Sequence, residues 1–128
     1  MTDSIAENLL IALLAVNNWS LERVFDVRGP LRDVGLMDFE TVRALSEDEV
    51  ADRLAAGGYA RGEYMNRLMA VRILSMATVL STAELARLSE HFREGRQDAI
   101  DATLNSIKGV GPSVRRSFWA LQGLQKQP

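Results

Sequence analysis

The pattern of apolar and polar positions is helical almost throughout. Ile5, Leu9, Ala12, Leu13 and Val16 follow the 3.6-residue period, and Leu10, Ile11 and Leu14 fill the flanks. A helix apolar nearly all round belongs at the centre of a core. Asn17 and Asn18 are expected to end it, with Asn18 capping a second helix that starts near Trp19 and turns Leu21, Val24 and Phe25 inward. Gly29-Pro30 reads as the break after it. A short turn of helix over residues 31–37 closes at Gly35, and Asp38 caps a segment carrying Phe39, Val42 and Leu45.

Two Ser-x-x-Glu strings follow. Ser46 to Glu49 and Ser81 to Glu84 each read as a capping box, in which the serine hydroxyl and the glutamate carboxylate satisfy each other's orphan amides. The first starts a helix with Val50 and Leu54 inward that stops at Gly57-Gly58. The second starts one that runs to about Phe92, before Gly95. Between them a long helix spans about Arg61 to Val79, with Met65, Met69, Ile73, Met76 and Leu80 on one face. That stripe reads as core. A helix over about Gln97 to Ser106, a glycine turn and a last helix from Pro112 to about Gln122 complete the chain. Strand patterning is nearly absent. The expectation is one all-α domain over residues 1–128, a compact bundle or orthogonal barrel of seven to nine helices.

Composition narrows the chemistry. A chain of 128 residues, 47% hydrophobic and 25% charged, is large enough to bury its own core. It has no cysteine, which removes disulfides, thiolate zinc sites and iron–sulfur clusters held by cysteine. The apolar run Leu9 to Val16 is too short to span a bilayer and lacks the basic flank of a signal peptide, so no membrane partner is expected. The default location is then the cytoplasm, at the nucleoid. The net charge of −2 is unevenly spread: residues 102–128 hold Lys108, Arg115, Arg116 and Lys126 and no acid, so the preceding 101 residues sum to −6.

The positive charge surrounds Ile107-Lys108-Gly109-Val110-Gly111-Pro112-Ser113. Glycines suit a sharp reversal, and proline suits a first helical position, where a missing N–H costs nothing. Helix-end amides and the helix dipole then face the turn and favour an anion. Amides of Gly109, Val110 and Gly111, with the Ser113 hydroxyl, would hold a phosphate. Lys108, Arg115 and Arg116 would supply charge without reading sequence. The same glycine–proline string also serves as a plain connector between helices.

These residues resemble the helix–hairpin–helix motif of the endonuclease III DNA glycosylase superfamily, and also the hairpins of family X DNA polymerases. Two further stretches favour the glycosylases. Residues 7–18, ending in Asn17-Asn18, are similar to that family's early helix, and Gly57-Gly58-Tyr59-Ala60-Arg61 resembles its turn before the long helix. The resemblance covers the six-helix barrel half and implies a module that ends in a helix–hairpin–helix and binds DNA largely without sequence preference, in repair or DNA maintenance. It implies that Asn17 stands where a side chain plugs the gap left by a flipped base, although asparagine is also a common helix terminator. It implies a monovalent cation, Na+ or K+, on the backbone carbonyls of Asn105, Ile107 and Val110, and no other cofactor.

The chain departs from the family at the catalytic positions. The aspartate beyond the hairpin has no counterpart, and Ser113 stands where bifunctional members carry the lysine. Adenine-specific members share the serine but keep the aspartate. Base excision needs a carboxylate and a lyase step needs an amine, and Lys108 and Lys126 are the only lysines. No catalytic residue is therefore assigned, and the leading expectation is DNA binding without excision. A minimal or split glycosylase or lyase, completed by a partner or a homodimer, is the alternative, and a protein-interaction scaffold with a vestigial hairpin the third. His91 is expected to be solvated. Asp98 and Asp101 are expected on a solvated helix face, and Phe118 and Trp119 are expected to anchor the last helix.

Overall fold

The computed structural model describes residues 2–16 and 19–126, with the side chains of 5–16 and 19–123. Among these residues the chain is all-helical: α1 (Thr2–Leu14), α2 (Leu21–Asp26), α3 (Arg28–Asp33), α4 (Phe39–Arg43), α5 (Glu47–Ala56), α6 (Glu63–Val79), α7 (Thr82–Glu94), α8 (Gln97–Asn105) and α9 (Pro112–Lys126). No single described helix is long and apolar enough to cross a membrane.

The largely apolar α1 lies at the centre of the bundle. Every residue from Leu9 to Leu14 is buried, and α1 packs against α2, α6, α7 and α9. Burying several such leucines and isoleucines, each worth about 1.5–3 kcal/mol, makes this helix the main apolar anchor of the fold. The long α6 packs against α4 and α5 and buries Met69, Ile73 and Met76. On α9, Val114, Phe118 and Leu121 form the buried stripe. One polar pair lies within the α1–α9 contact: the Asn8 amide donates to Gln122 Oε1 at 2.6 Å, with both residues buried.

Several local expectations change. The second helix is capped by Ser20, whose Oγ accepts the Arg23 amide at 3.1 Å, and it starts at Leu21, two residues later than the pattern suggested. Gly29-Pro30 does not break a helix but lies in the first turn of α3, where proline's fixed φ fits and its N–H is not needed. The Ser46–Glu49 box is complete in both directions. The second box is half formed. Ser81 Oγ accepts the Glu84 amide, but the Glu84 carboxylate turns to Arg87 at 2.6 Å, because an i+3 guanidinium outcompetes a backbone N–H for it. The last helix runs past Gln122 to Lys126. His91 is half-buried, and its Nδ1 is shielded without a hydrogen-bond partner, so it is not the solvated side chain expected.

Candidate functional site

The connection from α8 to α9 is anchored from inside. Ile107 and Val110 are buried, so the turn is tied to the core by two side chains three residues apart. Its backbone closes on itself: the Ile107 amide donates to Leu104 O and the Val110 amide to Ile107 O, each at 3.1 Å. Gly109 has φ +92°, and a Cβ there would meet Arg72 Cδ at 2.9 Å. Gly111 differs. Its φ is not positive, and a Cβ there would meet nothing within 4 Å. The fold needs glycine at 109 for conformation and does not need it at 111 for space.

Outside this anchor lie Lys108, Pro112, Ser113 and Arg116, all exposed. The first turn of α9 has no acid. Pro112 has no N–H, and the Arg115 amide is used by Gly111 O at 3.0 Å, which leaves the amides of Ser113 and Val114 as first-turn donors at the positive end of the dipole. The Val110 amide, expected to face a phosphate, is used within the turn. Arg115 reaches back across the turn, donating to Asn105 Oδ1 at 2.9 Å and to Val110 O at 3.5 Å. Its guanidinium thus places a full positive charge at two of the three residues, Asn105, Ile107 and Val110, whose backbone carbonyls were suggested for a monovalent cation, and meets one of those carbonyls directly, Val110 O. The Ile107 carbonyl accepts from Val110. In this conformation a bound cation would compete with Arg115.

A second group forms where α1 ends. Tyr59 is fully buried, and its hydroxyl donates to Leu14 O at 2.8 Å. Arg61 donates from Nη1 to Val16 O at 2.8 Å and to the Tyr59 oxygen at 3.1 Å, so it fixes the chain directly before Asn17. Trp19 packs at 4.7 Å on the Tyr59 ring, and Arg23 lies over Trp19 at 4.1 Å from its centroid. Gly57, two residues before Tyr59, lies close against α3, where a Cβ would meet Leu31 Cδ2 at 2.8 Å. Burial raises the Tyr59 phenol above its ordinary value, against the hydrogen bond and charge of Arg61 and the charge of Arg72. Asn17 itself lies outside the described residues.

Arg72 stands beside the glycine turn. It projects from α6, its side chain lies against Gly109, and its charge is felt at Tyr59. Sequence reading missed it, because Arg72 sits between Val71 and Ile73 in a helix read for its methionine stripe. Its only signal is its place on the flank of that stripe. Among the described residues Arg23, Arg72, Lys108, Arg115 and Arg116 make no ion pair with a carboxylate, whereas Arg32, Arg67, Arg87, Arg93 and Arg96 do. The unneutralised cations therefore include both flanks of the glycine turn and the tip of the Trp19 group.

The carboxylates near the turn are otherwise occupied or distant. Asp101 accepts the Trp119 indole N–H at 3.0 Å, which ties α8 to α9, and Trp119 packs with Phe92 and Phe118. Asp98 is exposed in the first turn of α8. No group of three His, Cys, Asp or Glu among the described residues could hold a metal. An open concavity of about 650 Å³ lies elsewhere, between Glu7 and Arg32, which form a bidentate pair, and Phe39, Arg43 and Leu85. Comparison of the chain with protein-family models, with curated proteins and with solved structures finds no match.

Proposed function

We propose that this protein is a DNA-binding module that holds a backbone phosphate at the Gly109–Ser113 turn and does not excise bases. One observation carries the reading. Gly111 is a glycine that neither the backbone conformation nor the packing requires, set between exposed Lys108 and exposed Ser113 at the acid-free start of α9. A missing side chain with no internal use is what close approach of an external group needs. The phosphate would take the amides of Gly109, Gly111 and Ser113 with the Ser113 hydroxyl. Lys108, Arg116 and Arg72 would supply attraction that carries no sequence information.

The junction of Leu14, Val16, Tyr59 and Arg61 supports the same reading. It fixes the end of α1, where Asn17 follows in sequence, against the Gly57–Tyr59 turn. Against catalysis stands the chemistry of the turn: a serine at position 113, and at Asp101 a carboxylate already bound to Trp119.

With three to four phosphate contacts, affinity for DNA should be roughly micromolar or weaker at physiological salt and fall steeply as salt rises. Fluorescence anisotropy on labelled duplex, nicked and abasic DNA at two salt concentrations tests this. No binding at low salt, or binding indifferent to Arg116→Ala and Gly111→Ala, refutes it. Strand cleavage of an abasic duplex, or a borohydride-trapped adduct, would instead make the protein an enzyme.

A further inference from the structure

The largest exposed aromatic side chain is not in the turn. Tyr64, at the start of α6, is 78% exposed, and no hydrogen bond or ring contact among the described residues holds it. With Leu68, Val71 and Ser75 it occupies positions i, i+4, i+7 and i+11, one stripe on the side of α6 opposite the buried Asn66, Met69, Ile73 and Met76. Val71 is also exposed and Leu68 is half-buried. A single exposed apolar residue needs no explanation, but an exposed tyrosine and valine on one stripe, joined by a half-buried leucine, form a small apolar face.

The surroundings of the stripe favour one occupant. Arg72 lies on its flank one position beyond Val71, makes no ion pair among the described residues, and rests against Gly109. The acids nearest its start, Glu63 and Asp48, are both engaged by Arg67, at 3.3 and 2.7 Å. Arg67 offsets one of those two negative charges, and at the far edge of the apolar, aromatic stripe Arg72, with no carboxylate partner among the described residues, suits a nucleobase face beside a phosphate. Eight residues of helix separate Tyr64 from Arg72, about 12 Å along the axis, or roughly three to four nucleotides of a stacked strand. In a duplex both faces of every base are covered by neighbours. A tyrosine standing on a convex helix can stack only on a base that is unpaired and unstacked.

Resting on the DNA reading above, we infer that Tyr64, with Leu68 and Val71, is a stacking platform for unpaired bases of the strand whose phosphate the glycine turn holds. The substrate class is DNA with a single-stranded stretch, such as a gap, a flap or a frayed end. Intact duplex binds through the turn alone.

The test is anisotropy with one labelled sequence presented as single strand, gapped duplex and intact duplex, using the wild-type protein, Tyr64→Ala, Tyr64→Phe and Arg116→Ala. Tyr64 is exposed, so its replacement leaves the fold intact, and circular dichroism checks this. The expected result is tighter wild-type binding to single-stranded and gapped DNA than to duplex. Tyr64→Ala should lose about tenfold on those two forms and nothing on duplex. Tyr64→Phe should behave as wild type, and Arg116→Ala should weaken all three. If Tyr64→Ala binds every form like wild type, or weakens all equally, the platform is overturned while a response to Arg116→Ala keeps the turn as a DNA site. Wild-type binding no tighter on single strand than on duplex overturns it as well. If no form binds the wild-type protein at low salt, the underlying DNA reading falls. Self-association abolished by Tyr64→Ala would assign the stripe to a second copy and overturn the platform.

Discussion

At the scale of single residues, the two glycines of the turn separate structure from use. Gly109 lies at φ +92°, so Gly109→Ala should cost about 1–3 kcal/mol of stability. Gly111→Ala adds a methyl to open space and should leave stability within about 0.5 kcal/mol while removing most of the DNA affinity. Urea melts beside anisotropy on the same two proteins check this, and a Gly111→Ala protein that binds like wild type would remove the main support for the phosphate site. Tyr59 has its own signature. Its phenol titrates above its ordinary value because burial disfavours the anion, so below about pH 10 the protonated form is shared by folded and unfolded chains. Above that, the unfolded chain loses its proton first and stability falls with rising pH. Tyr59→Phe should flatten that alkaline loss, at a cost of about 1 kcal/mol near neutrality for the bond to Leu14 O. Denaturant melts from pH 7 to 11 would show both.

At the scale of elements, caps and pairs decide where helices stop and how they meet. The Ser46–Glu49 box holds the start of α5, and the hydrogen bonds from Ser46 pull the Glu49 carboxyl below its ordinary value. Its contribution is present above the ordinary glutamate pKa and is lost as pH falls through the lowered one. Glu49→Gln should keep the cap and lose that part of the acid sensitivity, read as a smaller shift in urea midpoint between pH 7 and pH 3. The Asn8–Gln122 pair governs how α9 lies on α1. Asn8→Ala leaves a buried Gln122 oxygen without its donor and should cost about 1–3 kcal/mol, whereas Asn8→Leu with Gln122→Leu should be near neutral, a coupling that a double-mutant cycle measures. The sequence announced most of these elements. Ser46-x-x-Glu49, Asp38 and Gly95 acted locally, as their side chains and backbones allow. It misled where two local solutions compete: Ser20 took the cap assigned to Asn18, Gly29-Pro30 opened a helix instead of ending one, and Glu84 chose Arg87 over its own serine.

At the scale of the molecule, charge distribution is the decisive property. On the proposed DNA-binding reading, a protein of net charge −2 must use a local face, so its affinity should be strongly salt dependent yet modest. Three to four phosphate contacts predict a slope of log K against log salt of about −3 on duplex, and Arg116→Ala should reduce it by about one. Arg115→Ala should act twice, removing a charge and releasing the contact to Asn105 that closes the turn.

The chain alone determined the fold class, the central place of α1, the methionine core of α6 and the position of the glycine turn. Each depends on helical periodicity, capping chemistry or backbone freedom, which act within a few residues. The tertiary structure alone decided what stands around that turn. Arg72 meets Gly109 across 37 positions of sequence, Tyr59 reaches Leu14 across 45, and Asp101 is taken by Trp119 across 18. It also turned Arg115 inward, hid the Val110 amide and left Tyr64 standing clear of the core. No periodicity encodes those meetings, because they depend on how whole helices pack on α1 and not on the order of residues within any one of them.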